Sequence, residues 1–211
     1  MKLYLNLLPY QRNKLFLHAT SVRDMMSVFL TALEYIQYWQ GNHKVIKRPY
    51  LLLDLDDTQR VFLVDKDKII SFGFHLNVKT QKENLTDPTN FVSGIHLRKY
   101  PITSREISEA KQMLNSCSDN DYLYCYSALE EEITISKNSL YLFEHLLFSE
   151  WGYIRYDHDP SHAVEGYHPS DHLDVCFSHD ISYKLGLKKG LEVSDMIDFM
   201  NQKTRCAELS L

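Results

Sequence analysis

From Ser21 to Gln40 the segment SVRDMMSVFLTALEYIQYWQ places Val22, Met25, Met26, Phe29, Leu30, Leu33, Ile36 and Trp39 at three- and four-residue intervals. That spacing predicts an amphipathic helix, capped by Thr20 or Ser21 and ended by Gly41, with its apolar stripe in the core. YLLLDL (50–55) and RVFLVDKDKIISFGFHLNV (60–78) are apolar and rich in β-formers, and predict a meander of two or three strands turning at DKDK (65–68). The polar run KTQKENLTDPTN (79–90) reads as a loop. TSREISEAKQMLN (103–115) reads as a helix with Thr103 or Ser104 as cap and a glutamate in its first turn. After a break at SCSDND (116–121), YLYCYSAL (122–129) predicts a strand that EEEITIS (130–136) continues or pairs with. NSLYLFEHLLFSEW (138–151) aligns Leu140, Phe143, Leu146 and Leu147 on one helical face and ends at Gly152. GYIRYD (152–157), HLDVCFSH (172–179) and YKLGL (183–187) read as strands, and SDMIDFMNQK (194–203) as a closing helix capped by Ser194.

Strands joined by short polar segments, with helices between them, imply an α+β fold: a mainly antiparallel sheet with helices packed on one face. The 211 residues suit a single domain, 1–211, with an N-terminal helical part to about residue 45 and a C-terminal histidine-rich hairpin part over about 140–211. A hydrophobic fraction of 44% with 24% charged residues is that of a globular chain. The net charge of -5 argues against a surface that coats polyanions, although a local basic patch such as Lys184, Lys188 and Lys189 can still meet a nucleic-acid backbone. Cys117, Cys125, Cys176 and Cys206 are too scattered for a zinc ribbon or a disulfide framework, which fits a reducing cytoplasm. No stretch approaches the roughly 20 apolar residues of a membrane helix, so no membrane partner is expected.

The chemistry concentrates in residues 153–175, YIRYDHDPSHAVEGYHPSDHLDV, where four histidines and five carboxylates accompany one arginine. Side chains alternate along a strand, so Tyr153, Arg155 and Asp157 share one face, and His172, Asp174 and Cys176 share one face of the second strand. Antiparallel pairing around the loop 158–170 sets Arg155 and Asp157 beside His172 and Asp174. An arginine grips a phosphate, a histidine moves a proton near neutral pH, and a carboxylate orients it. His158, His162 and His168 in the loop offer a second acid or base. That set suffices for cofactor-free cleavage of RNA; a divalent metal such as zinc, held by Asp157, His162, His168 and His172, is the neighbouring alternative. A strand would hold His168 and His172 about 13 Å apart, so only a bend in the loop brings them together. Elsewhere, Asp54, Asp56 and Asp57 read as a carboxylate turn before a cation site, and His75 and His96 as sheet residues.

RYDHDP, HPSDHLDV, YKLGL and SDMIDFM together resemble the bacterial family catalogued as domain of unknown function 2290, and the Arg-Tyr-Asp and histidine arrangement is similar to that of TumE-type toxins of bacterial toxin–antitoxin pairs. The resemblance covers about residues 140–203 and picks out Arg155, Asp157, His168, Pro169 and His172. Where such proteins often carry a second histidine, this chain has Asp174. The first family implies a shared fold and lends no activity. The second implies a toxin or phage-defence effector acting on nucleic acid, with an antitoxin or other protein as partner. The expectation is therefore a cytoplasmic phosphodiester-cleaving protein. In it Arg155 would hold the phosphate, His172 and either His162 or His168 would act as base and acid, and Asp157 or Asp174 would orient them. A non-catalytic adaptor subunit and a divalent-metal binding protein are the rival readings.

Overall fold

The computed structural model describes residues 1–41, 46–82, 90–117, 135–178 and 180–205. The fold is α+β, with two antiparallel sheets and helices packed against them. The chain divides into two compact units, one formed by Met1–Arg12, His43–Phe74 and Trp151–Leu211, the other by Asn13–Asn42 and His75–Glu150.

The first unit is built on seven strands: β1 (Lys2–Asn6), β2 (Tyr50–Asp54), β3 (Arg60–Val64), β4 (Lys68–Gly73), β8 (Ile154–His158), β9 (Asp171–Val175) and β10 (Tyr183–Gly186). They lie in the order β1-β2-β3-β4-β8-β9-β10, every neighbour antiparallel. β2, β3 and β4 read as nearly continuous apolar runs because both of their faces are buried, which removes the alternation of a half-exposed strand. On one face Tyr50, Leu52, Phe62, Val64, Ile69, Tyr156 and Leu173 form a cluster with Met196, from the helix α5 (Val193–Met200). Burying each such side chain contributes about 1.5–3 kcal/mol. α5 starts one residue ahead of the predicted cap: Glu192 is the N-cap residue, and its N–H donates to the Asp195 carboxylate at 2.8 Å. β9 stops at Val175, short of the predicted 179, because Cys176 takes φ +66, outside the extended region a ladder needs.

The second unit holds the sheet β5 (Asn77–Lys82), β6 (Asn90–Leu97) and β7 (Tyr100–Ile102), in that order. Its helices are α2 (Val22–Gln37), α3 (Ser104–Ser116) and α4 (Lys137–Leu147); the boundary between units falls within the short helix α1 (Pro9–Leu15). α2 and α3 open with capping boxes, Ser21 with Asp24 and Thr103 with Glu106, and each satisfies N–H groups that a helix start leaves unpaired. α2 ends at Gln37, earlier than the apolar spacing implies, because Gln40 bridges Phe91 and the Trp39 carbonyl accepts from Val92 N–H. Residues 79–82, expected in a loop, pair with β6 across a bulge at Lys79/Thr80; NVKTQK lacks the apolar alternation that marks a strand. Leu140, Phe143 and Leu146 are buried as the helical spacing implies, and Leu147 is half-buried. The strand expected at 122–129 and residues 130–134 lie outside the described residues, as do Cys125 and Cys206.

Candidate metal centre

The site is made by strand register. Antiparallel pairing sets Asp157 opposite His172, and Arg155 opposite Asp174, which in turn faces Lys184 on β10. On the other side Lys68 of β4 faces Asp157. Directly opposed residues point to the same side of a sheet, so these six side chains converge on one face.

One ligand atom from each of Asp157, His172 and Asp174 lies within 4.8 Å of the others, and all three residues are buried. His172 Nε2 stands 3.9 Å from an oxygen of each carboxylate. Its Nδ1 is 2.9 Å from the Pro169 carbonyl, which can only accept, so Nδ1 carries the proton and the Nε2 lone pair is left to accept from the Lys184 ammonium. Zinc ligands at about 2.0–2.1 Å stand roughly 3.3 Å apart in a tetrahedron, so the trio sits slightly wide of ligating distance. Donor set, tautomer and anchoring carbonyl match what a metal-bound histidine requires.

The four carboxylate oxygens already meet tethered cations. Asp157 accepts from Lys68 at 3.2 Å and from Arg155 Nε at 2.5 Å; Asp174 accepts from Lys184 at 2.6 Å and from the second arm of the same guanidinium. Burial works to raise the Asp157 carboxyl, but Arg155 and Lys68 outweigh it and hold the group below the usual carboxylate range. Burial also opposes the charge on Arg155, and the two carboxylates more than restore it. Lys184 Nζ lies 3.1 Å from His172 Nε2 and 2.6 Å from Asp174, so its ammonium would compete with a divalent ion for those two donors. Its side chain is 39% exposed and can swing into water. Asp157 also lines a surface cleft of about 250 Å³ of mixed charge, where Arg12, Lys66, Lys68 and His158 alternate with Asp65, Asp67 and Asp159.

The other three histidines take separate places, His158 at the end of β8 and not in the loop where the sequence reading put it. His158 Nδ1 pairs with Asp171 at 2.9 Å. His162 sits in a 3-10 turn with its Nδ1 3.0 Å from Asp159; Ser161 and then His162 hold that carboxyl down to about 2. His168 is brought to His172 after all, ring centroids 4.6 Å apart and edge-on, because the chain doubles back between Val164 and His168 through Gly166 at φ +76. Its Nδ1 is sealed from water without a hydrogen-bond partner. Among the described residues the metal-competent set is Asp157, His172 and Asp174, so Asp174 stands where the sequence reading placed His162 and His168. Lys68 carried no local signal at all; only the β4–β8 pairing reveals it. The Asp54 side chain accepts from the N–H groups of Asp56 and Asp57, the carboxylate turn expected there.

No family model, curated protein or solved structure matches the chain. No helix among the described residues is long and apolar enough to cross a membrane.

Proposed function

We propose that this chain binds a divalent cation, zinc or a similar borderline metal, through Asp157, His172 and Asp174. The observation that supports it is the convergence of two carboxylates and a histidine whose Nε2 is held toward them by the Pro169 carbonyl. A mixed nitrogen and oxygen donor set suits zinc or manganese over calcium or magnesium. Once bound, the ion would supply Lewis acidity and a water of lowered pKa. Elemental analysis of purified protein, and calorimetric titration of metal-stripped protein with Zn²⁺ and Mn²⁺, test the reading. About one ion per chain, lost in Asp174→Asn and His172→Gln, is the expected result. Undiminished binding in the Asp174→Asn/His172→Gln double variant, or no binding by wild type, overturns it.

A second reading, phosphodiester cleavage at the same cluster, draws on the cleft at Asp157, where Arg12, Lys66 and Lys68 stand among the carboxylates of Asp65, Asp67 and Asp159. The similarity of the short Arg-Tyr-Asp and histidine motif to that of TumE-type toxins points the same way, toward a toxin or phage-defence effector. His172 is only 2% exposed, which suits a ligand or an internal proton partner better than a ring pressed against RNA. Incubating wild type and Asp174→Asn with labelled single-stranded RNA and DNA, with and without Zn²⁺ or Mn²⁺, separates the readings. Cleavage by wild type alone supports a hydrolase, and intact substrate under every condition sets it aside.

A further inference from the structure

A second feature lies wholly in the other unit and does not depend on the metal reading. A cavity of about 620 Å³ opens between α4, the β6–β7 turn and His75, within the size range of small-molecule sites. α4 carries two stripes. Leu140, Phe143 and Leu146 are buried, whereas Tyr141, Glu144, His145 and Phe148 recur at i, i+3, i+4 and i+7 and line the cavity. Tyr141 is 40% exposed and Phe148 66%, so two aromatic rings stand in water on a face the core does not use. The Tyr100 ring, its centroid 4.9 Å from that of Tyr141, sets the first of them in place.

The lining carries charge of both signs, and each sign comes from a different element. Arg98, an exposed residue held at φ +55 in the β6–β7 turn, brings the positive charge. Glu144 in the last turn of α4 and Glu150 just beyond its end bring the negative charge. The dipole of a helix is negative at its C-terminus and favours a cation there, which strengthens the same polarity. Among the described residues neither the Arg98 guanidinium nor the Glu150 carboxylate has an ion-pair partner, so they face one cavity without neutralising each other. His75 Nε2 donates to the Glu150 carbonyl at 3.1 Å and so fixes the backbone that carries this carboxylate. His145 adds no charge at neutral pH, because burial, ahead of His75 and Arg98, holds it below the ordinary histidine value. A ligand of a single sign is therefore opposed from one wall: a cation meets Arg98, an anion meets Glu144 and Glu150. A ligand that carries both signs is matched on both walls.

We propose that this cavity binds an aromatic α-amino acid, its ring against Tyr141 and Phe148, its carboxylate toward Arg98 and its ammonium toward Glu150 at the end of α4. Guanidinium to carboxylate, carboxylate to ammonium, and ring against ring are the three contacts such a ligand needs.

The test takes the ligand apart one group at a time. Phenylalanine, phenylethylamine, phenylpropionate and glycine, each titrated into the full chain by calorimetry, keep all three groups or lack the carboxylate, the ammonium or the ring. Phenylalanine should bind at least about tenfold more tightly than any of the others, the usual yield of one charge-assisted contact. Arg98→Gly, which suits the left-handed backbone at that position, should bring phenylalanine down to the affinity of phenylethylamine without weakening the amine. Glu150→Gln should bring it down to that of phenylpropionate without weakening the acid. In wild type, NMR shift changes on adding phenylalanine should centre on Arg98, Tyr141, Phe148 and Glu150, a readout that needs no variant to fold. Either single-charge analogue binding as tightly as phenylalanine, undiminished phenylalanine binding in either variant, shift changes centred elsewhere, or no binding by wild type overturns the assignment.

Discussion

Lys184 carries the sharpest consequence at the scale of single residues. Its ammonium lies 3.1 Å from His172 Nε2 and 2.6 Å from Asp174, so this tethered cation and a divalent ion compete for the same donors. Two positive charges a few ångströms apart repel by about 4 kcal/mol even in a moderately polar medium. Lys184→Met is therefore expected to tighten Zn²⁺ or Mn²⁺ binding by about tenfold or more, read by calorimetry. Weaker or unchanged binding would show that the ammonium does not occupy the ion's place. Arg155 differs from Lys184 in burial: its side chain is 12% exposed and its guanidinium spans both carboxylates. Removing either carboxylate leaves a buried, half-paired charge, which typically costs about 3–5 kcal/mol. An amide at Asp157 or Asp174 also removes the charge but keeps one oxygen to accept from the guanidinium, which makes it the less disruptive variant there.

Among the elements, β10 and the loop before β9 are coupled through one glycine. Gly186 faces His172 in the ladder, and a side-chain carbon added there would come within 2.7 Å of Pro169 Cγ. Pro169 supplies the carbonyl that orients His172, so Gly186→Ala should push that carbonyl away. The expected outcome is a loss of about 1–3 kcal/mol in urea denaturation with weaker metal binding, whereas an alanine at exposed Lys188 should change neither. In the second unit Glu109 of α3 ties down the start of α4. It accepts from Ser136 N–H at 2.9 Å, from the Ser139 hydroxyl at 2.6 Å and from Arg105 at 2.7 Å. Burial pushes its carboxyl up, and Ser139, Arg105 and Ser136 together bring it down to about 2, from an ordinary 4.5. A carboxyl depressed in the folded state contributes stability that is complete above its unfolded pKa and is lost as pH falls through the folded one. Glu109→Gln should then lower stability at neutral pH by about 1–2 kcal/mol and flatten the acid limb between about pH 4.5 and 2, measured by urea midpoints across that range.

For the whole molecule, two compact units mean that one unfolding transition need not describe the chain. A metal bound to the first unit stabilises whatever opening exposes its ligands, by about 2.7 kcal/mol at a free concentration 100 times the dissociation constant. Hydrogen exchange then discriminates. Saturating Zn²⁺ is expected to slow the amides of β8, β9 and β10 by up to about 100-fold while those of α3 and α4 keep their rates. Uniform slowing or none across both units contradicts a site confined to the 154–186 strands.

The sequence by itself determined the α+β class, the existence though not the ends of the helices found at 22–37, 104–116 and 137–147, and the sharing of one face by Arg155 and Asp157 and of one face by His172 and Asp174. These follow from nearest-neighbour geometry: a period of 3.6 or 2, a capping side chain, a turn residue. The strand at 79–82 escaped because a polar edge leaves no alternation to read, and the early end of β9 rests on one backbone angle at Cys176. Only the tertiary structure decided the membership of the site. Lys68 enters because β4 lies beside β8, Lys184 because β10 lies beside β9, and His162 stays out because its turn closes on Asp159. Strand order and loop path are set by burial across the whole sheet, a sum over distant residues that no local spacing records.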